Sequence, residues 1–296
     1  MRLRSLLFVP ADSERKFDRA LASGVDAIIL DLEDSVTPDR KAEARGLLPD
    51  HLAKASAAAP MLFVRVNAFD TGDVAEDLRA AVRGGLRGIL LPKANGLEDV
   101  ERLAELLDEC ERDHGMSVGG TVIGVVATET PRAIFNLGSY AEGHPRLAFL
   151  TWGAEDLAAA IGASANKEED GEWTAPYRHA RSLCLFAAAA AGVPAIDTLY
   201  ADFRDIAGLQ HACSRSRRDG FVGRIAIHPD QVATINASYS PSAAEIDAAR
   251  AVVTAFAAAP DAGAVSIAGR MYDIPHLNSA RRLLDAADAG IGAAHE

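Results

Sequence analysis

Three cysteines in 296 residues, Cys110, Cys184 and Cys213, lie far apart with no CxxC step. That spacing rules out a disulfide framework and a thiolate zinc site, and leaves the three as small buried hydrophobes. Positive charge is also scarce: 30 Lys and Arg stand against 42 Asp and Glu, a formal net charge of −12. Such a surface cannot neutralise a phosphate backbone, which argues against a nucleic-acid partner. Local cations or a metal still permit a small anionic ligand. The N-terminal stretch MRLRSLLFVPADSER carries an apolar run of only five residues, Leu6 to Pro10. That is too short for a signal-peptide core or a membrane span, so the expectation is a cytoplasmic protein with no membrane contact. No GxGxxG follows the first apolar run, which removes the dinucleotide fingerprint.

What is present is apolar material, 49% of the chain, arranged with a rhythm. LRSLLFVP, VDAIILDL, MLFVRV, LRGILLP, TVIGVVA, RLAFLTW, VPAIDTLY and RIAIHP are short runs bounded by Gly, Pro or charge. Runs apolar on both faces belong to strands covered on both faces, as in parallel sheets under helices. Between them lie amphipathic stretches, among them Glu14 to Ser23, Val74 to Arg83, Leu97 to Asp113 and Tyr177 to Ala191. Eight strands alternating with helices imply βαβ units, and closing them predicts an α/β protein built on a (β/α)₈ TIM barrel. An open doubly wound sheet is the alternative; without the dinucleotide loop, closure is preferred. The barrel is predicted over residues 1–240. Residues 241–296 then form a C-terminal helical extension or lid, opened by a Ser242-x-x-Glu245 capping box and continued through VSIAGRMYDIP into a last helix to about Asp288.

Barrel enzymes place chemistry at the C-terminal ends of their strands. In chain order the runs end on Pro10; on Asp31, Glu33 and Asp34; on Arg65 and Asn67; on Lys93; on Glu129; on Glu155 and Asp156; on Asp197; and on His228. Each could merely open a loop or cap a helix, but as a set they converge on one mouth. Clustered carboxylates repel unless a cation shares them. Oxygen donors without His or Cys nearby point to a hard ion, Mg²⁺ or Mn²⁺, which takes one or two carboxylates and keeps open positions. Glu129, in VATETP, precedes a Pro131 suited to the first turn of a helix. Asp156, in WGAEDL, follows a Gly-Ala step, and the amides of Gly153, Ala154 and Glu155 are candidate donors to a substrate carboxylate.

FVPADSERKF, DAIILDLEDSV followed by Lys41, FVRVN, LLPKAN, VATETPRAI, LTWGAEDLAAAIG and IHPDQV occur in this order over nearly the whole chain. Together they resemble the citrate lyase beta-subunit and malyl-CoA lyase family, and MYDIPHLNSARRLL resembles its C-terminal catalytic segment. The resemblance implies Glu129 and Asp156 as Mg²⁺ ligands and Arg65 as the residue neutralising charge on the reacting oxygens. It implies Asp273 as an acid/base group delivered by a neighbouring subunit's tail, hence a homo-oligomer, a trimer or hexamer. It also implies cleavage of a carboxylated 3-hydroxyacyl-CoA into an acyl-CoA and a keto acid, or the reverse condensation.

Asp31, Glu33 and Asp34 read as a second layer around the metal's waters or Arg65, or else one or two of them as helix caps; Glu33 and Asp34 are preferred for the second layer. Arg15, Lys16 and Lys41 read as cations for CoA phosphates, or as solvated helix faces. His228 reads as a structural hydrogen-bonder in preference to a catalytic group, Trp152 as core or pocket wall, and Asn166 to Thr174 as a solvated loop or part of the mouth. Three other functions compete. A CoA-independent class II aldolase of pyruvate-type donors would use a His near the second strand, where this chain has carboxylates. The others are a thioesterase step added to condensation and a lyase beta subunit that works only in a complex with an acyl-carrier partner.

Overall fold

In the computed structural model, which describes residues 1–54 and 60–291, each of the eight apolar runs forms a strand. The strands are β1 (Ser5–Pro10), β2 (Ala27–Asp31), β3 (Met61–Arg65), β4 (Leu86–Leu91), β5 (Val122–Val126), β6 (Leu147–Thr151), β7 (Ala195–Asp197) and β8 (Gly223–Ala226). They close in chain order into a parallel barrel, with β1 returning to β8 through Leu6 opposite Ile225. The connecting helices are α1 (Glu14–Leu21), α2 (Lys41–Ala53), α3 (Val74–Ala81), α4 (Leu97–Asp113), α5 (Pro131–Asn136), α6 (Glu155–Ile161), α7 (Ala175–Ala191) and α8 (Ile206–Asp219), followed by α9 (Val232–Ser238). The predicted TIM barrel is therefore the observed fold.

Strand residues alternate between the barrel interior and the helical layer. The interior is filled by Leu6, Ala27, Ile29, Phe63, Leu90, Val126, Phe149, Ile196 and Ile225. Two phenylalanines meet edge to face at its centre, Phe63 and Phe149, with ring centroids 5.6 Å apart. Each lies across from a glycine on the neighbouring strand, Gly88 on β4 and Gly124 on β5. A Cβ at Gly88 would sit 2.7 Å from the Phe63 ring, and one at Gly124 2.2 Å from that of Phe149. The large side chains thus fill space that the small ones vacate.

The chain divides into two units: the barrel, Leu3–Asn236, and a second made of Ala237–Glu296 with Met1–Arg2. The division falls at 236/237, not at the predicted 240/241, and gives the first two residues to the tail. Within the second unit, α10 (Ala243–Ala257) opens on the predicted capping box, with the Ser242 hydroxyl accepting the Glu245 amide and the Glu245 carboxylate accepting the Ser242 amide. VSIAGRMYD forms an antiparallel hairpin, β9 (Ala264–Ile267) and β10 (Arg270–Asp273). Ala268 and Gly269 both take positive φ, 49° and 79°, the backbone that a tight hairpin turn needs. The last helix, α11 (Ile274–Ile291), runs past the expected Asp288 and packs with α10 and the hairpin around Val252, Phe256 and Leu277. Among the described residues no helix is long and apolar enough to cross a membrane.

Candidate active site

Strand parity decides which end residues enter the mouth. Ala27 and Ile29 point inward on β2, so Asp31 does too; Phe63 points inward on β3, so Arg65 follows it. The two meet as a bidentate pair, Arg65 Nε and Nη2 each donating to an Asp31 carboxylate oxygen at 2.7 Å. Asp31 also accepts the backbone amides of Glu33 and Ser35 at 2.9 and 3.1 Å. Burial alone would raise the Asp31 pKa, but the Arg65 guanidinium and the two amides hold it below the ordinary carboxylate range. Arg65 Nη1 lies 2.8 Å from Glu33 Oε2, and its guanidinium covers the Phe8 ring at 4.6 Å. Asp31, then, is the principal partner of Arg65. Of the two carboxylates expected to surround it, Glu33 is buried and in contact, whereas Asp34 is exposed and 3.9 Å away.

Glu129 follows β5, and Asp156 stands in the first turn of α6 after the adjacent strand β6. Thr130 caps α5 by accepting the Ala133 amide at 3.0 Å, which fixes the backbone next to Glu129. Glu129 is almost wholly buried, and its Oε2 accepts the Lys93 backbone N–H at 2.6 Å. Burial pushes its carboxyl up to about 8; the Lys93 amide opposes this, and the negative charges of Glu33 and Asp156 add to it. Gly153 makes room for it: a Cβ there would lie 2.8 Å from Glu129 Cγ. The Lys93 ammonium bridges the mouth, donating to Glu33 Oε1 at 2.5 Å and lying 3.3 Å from Asp156 Oδ1.

These groups open on a cavity of about 390 Å³ whose charged side carries Asp31, Arg65, Glu129, Glu155 and Asp156. Its apolar lining is Phe8, Val126, Trp152, Trp173, Leu199, Ile225 and Ile227. Among the described residues no group of three or more His, Cys, Asp or Glu side chains forms a ready metal cage. A hard divalent ion needs only one or two carboxylates, with substrate and water completing the shell. The donors present fit that requirement: Glu129 and Asp156 offer oxygen only. Glu129 is a buried carboxyl among the like charges of Glu33 and Asp156. A cation shared by Glu129 and Asp156 would offset that repulsion.

Other expected residues lie elsewhere. Lys41 donates to the Leu32 carbonyl, the Glu33 carbonyl and Asn67 Oδ1 at 2.8, 3.2 and 2.6 Å, which uses its three protons. It clamps the loop after β2 and has none left for a phosphate. Asn67 is spent as well, its amide groups donating to the buried Asp77. The Gly153 N–H donates to the Thr128 hydroxyl at 3.2 Å, leaving Ala154 and Glu155 as the amides that open α6. His228 stacks on Phe203 at 4.4 Å and accepts the Asp230 amide, a structural post. Arg15 and Lys16 are exposed at the start of α1, directly after β1.

Asp197 points the other way, because Ile196 occupies the inward position on β7. It accepts Trp152 Nε1 and Arg224 Nη2 at 2.7 Å each and Arg181 Nη2 at 3.1 Å. Burial would raise its pKa, but Arg224 and Arg181 hold it at about 2. Its role is to tie the end of β6, where Gly153 begins, to β7 and β8. Trp173 lines the mouth and meets Trp152 edge to face at 5.1 Å, so this one residue of the stretch from Asn166 to Thr174 belongs to the cavity wall. Asp273 lies in the second unit at the end of β10, its carboxylate 2.5 Å from His276 Nδ1, and this partner lowers its pKa.

Comparison with known proteins points the same way as the geometry. The HpcH/HpaI aldolase/citrate lyase family pattern matches residues 4–229. A (3S)-malyl-CoA thioesterase of Cereibacter sphaeroides is 34% identical over 288 residues, covering 97% of this chain and 95% of its own. A citrate lyase subunit beta-like protein of Mycobacterium tuberculosis is 34% identical over 278 residues, 94% of this chain and 93% of its own. The crystal structure of CitE from Mycobacterium tuberculosis in complex with magnesium, acetoacetate and coenzyme A superposes with a TM-score of 0.78 at 32% identity, covering 97% and 98% of the two chains. On this evidence the chain belongs to the HpcH/HpaI aldolase/citrate lyase family and is a carbon–carbon lyase.

Proposed function

We propose that this chain is a Mg²⁺-dependent lyase acting on a carboxylated 3-hydroxyacyl-CoA, such as the malyl, citramalyl or citryl ester, and releasing an acyl-CoA and a keto acid. The observation carrying the proposal is one mouth in which Glu129 and Asp156 face a cavity that Arg65 also enters. The magnesium, acetoacetate and coenzyme A of the related CitE structure support it. Glu129 and Asp156 would hold the ion, which when bound supplies Lewis-acid polarisation of the keto acid oxygens.

The residues of the chain do the rest. In cleavage the C3 hydroxyl loses its proton and the C2–C3 bond breaks. The bonding pair moves onto C2 as a thioester enolate, and C3 becomes the carbonyl carbon of the keto acid. Arg65 is a positive charge that cannot lose its proton; burial works against that charge, but Asp31 and Glu33 hold it firmly protonated and in place. The Ala154 and Glu155 amides orient the keto acid carboxylate, and Arg15 and Lys16 stand where CoA phosphates would pass. Asp273 takes up the proton released from the C3 hydroxyl and delivers it to the enolate carbon, or removes one from the thioester methyl in condensation. It does so from a neighbouring copy in a trimer or hexamer. A second reading, hydrolysis of the thioester, is favoured by the name of the Cereibacter relative.

A coupled assay over a panel of 3-hydroxyacyl-CoA esters, with Mg²⁺ or with EDTA, tests the proposal. Keto acid and acyl-CoA in equal amounts, dependent on Mg²⁺, are expected. Free CoA and a hydroxy acid without keto acid would make it a thioesterase. Cleavage of CoA-free hydroxy keto acids alone would make it an aldolase of the pyruvate type.

A further inference from the structure

Lys93 connects more of the mouth than any residue assigned to it above. Its backbone N–H donates to Glu129 Oε2 at 2.6 Å. Its ammonium donates to Glu33 Oε1 at 2.5 Å and stands 3.4 Å from Asp34 Oδ2 and 3.3 Å from Asp156 Oδ1. The residue sits at φ 51°, and the hairpin's Ala268 is its only non-glycine companion at positive φ among the described residues. That region is strained for an L-residue. The strain is tied to a result, since amide and side chain both reach the same group of carboxylates.

We propose that Lys93 is the resident cation of the metal site. Its ammonium holds Glu33, Asp34 and Asp156 together before the ion arrives, and it gives up Asp156 when the ion is loaded. This rests on Glu129 and Asp156 being the Mg²⁺ ligands. An ammonium and a divalent ion compete for the same Asp156 oxygen and repel each other, so they cannot both hold it at full strength. The amide does not compete, because it is neutral and does not repel the ion, and the Glu129 oxygen has a lone pair to spare. It keeps Glu129 aimed in both states. The two halves of one residue therefore do different things: the backbone fixes one ligand, and the side chain lends its charge to the other. The ammonium lowers the affinity for Mg²⁺ while it stabilises the unloaded protein.

The test is calorimetric titration of MgCl₂ into the full-length protein, with thermal melts at zero and saturating Mg²⁺. Lys93→Met removes the charge and keeps the stem. Lys93→Gly removes the charge, retains the amide and suits the left-handed backbone, so it stays folded if the longer substitution does not. Both variants are expected to bind Mg²⁺ more tightly than wild type, on the order of tenfold, the equivalent of one charge-assisted hydrogen bond. Lys93→Met should also melt lower without the ion, with the gap narrowed when it is present. Equal or weaker Mg²⁺ binding by both variants overturns the proposal. Mg²⁺ binding by wild type that survives Glu129→Gln overturns the ligand assignment beneath it, as does the absence of binding in every form.

Discussion

Gly153→Ala tests how tightly the mouth is built. A Cβ at this position would lie 2.8 Å from Glu129 Cγ, 3.1 Å from Oε1 and 3.3 Å from Cδ. Carbon atoms at rest sit about 3.5–4.0 Å apart, so the Glu129 side chain must retreat by roughly 1 Å. That retreat breaks the 2.6 Å bond from the Lys93 amide, which is what aims the carboxylate. Misplacing a catalytic group by about 1 Å costs on the order of 100-fold in rate, and the metal ligand is lost to the same displacement. The backbone at Gly153 is not in the left-handed region, so alanine itself fits the chain. Overpacking should cost about 1–3 kcal/mol of stability, leaving a folded protein. The assay is kcat/KM on the active CoA ester together with Mg²⁺ affinity by calorimetry. Gly138→Ala serves as the control, because nothing lies within 4 Å of a Cβ there. Wild-type turnover and wild-type Mg²⁺ affinity in Gly153→Ala would refute the reasoning that Glu129 depends on the missing methyl.

Arg65→Lys keeps the charge but loses the two-pronged grip on Asp31, and turnover should fall by roughly 100-fold or more with the fold intact; near-normal kcat would assign Arg65 to structure alone. Asp197→Asn strips the carboxylate from between Arg181 and Arg224 and should lower stability by about 3–5 kcal/mol, read from urea unfolding at neutral pH. With a folded pKa of about 2 against an ordinary 3.8, Asp197 stabilises the protein fully above that ordinary value, and the contribution fades as pH falls toward the folded one. Wild type should therefore lose about 2 kcal/mol through this group over that acid range, and Asp197→Asn should show a flatter acid limb. Asp273→Ala should bind Mg²⁺ and keto acid normally without turning over; mixed with Glu129→Ala protein it should regain part of the activity, and mixed oligomers that exchange subunits yet stay inactive would place the acid/base group in its own chain.

Much of this was legible from apolar runs and caps. Leu97 to Asp113 was readable as a helix to the residue, because its apolar positions repeat with helical period between a glycine and a histidine turn. The Ser242 and Glu245 capping box set the start of α10 in the same way. The hairpin at Ala264–Asp273 was missed, because a four-residue strand with exposed alternate positions carries little apolar signal. Asp31 was underrated beside Glu33 and Asp34, although counting in twos from Ala27 and Ile29 would have put it inside. The same count from Ile196 would have turned Asp197 outward.

The sequence by itself determined the barrel, its eight strands and the ring of polar residues at their ends, because period and punctuation are local properties of a chain. The tertiary structure decided which of those residues act on one another. Arg65 is bonded to Asp31 from the neighbouring strand, Lys41 is used up by two carbonyls and Asn67, and Gly153 is small because Glu129 lies against it. Those facts depend on distances between strands remote in sequence, and no pattern of spacing along the chain encodes a distance of that kind. Lys93 shows it most directly, since its grip on Glu129, Glu33 and Asp156 comes from a backbone angle and from three strand ends brought together by closure of the barrel.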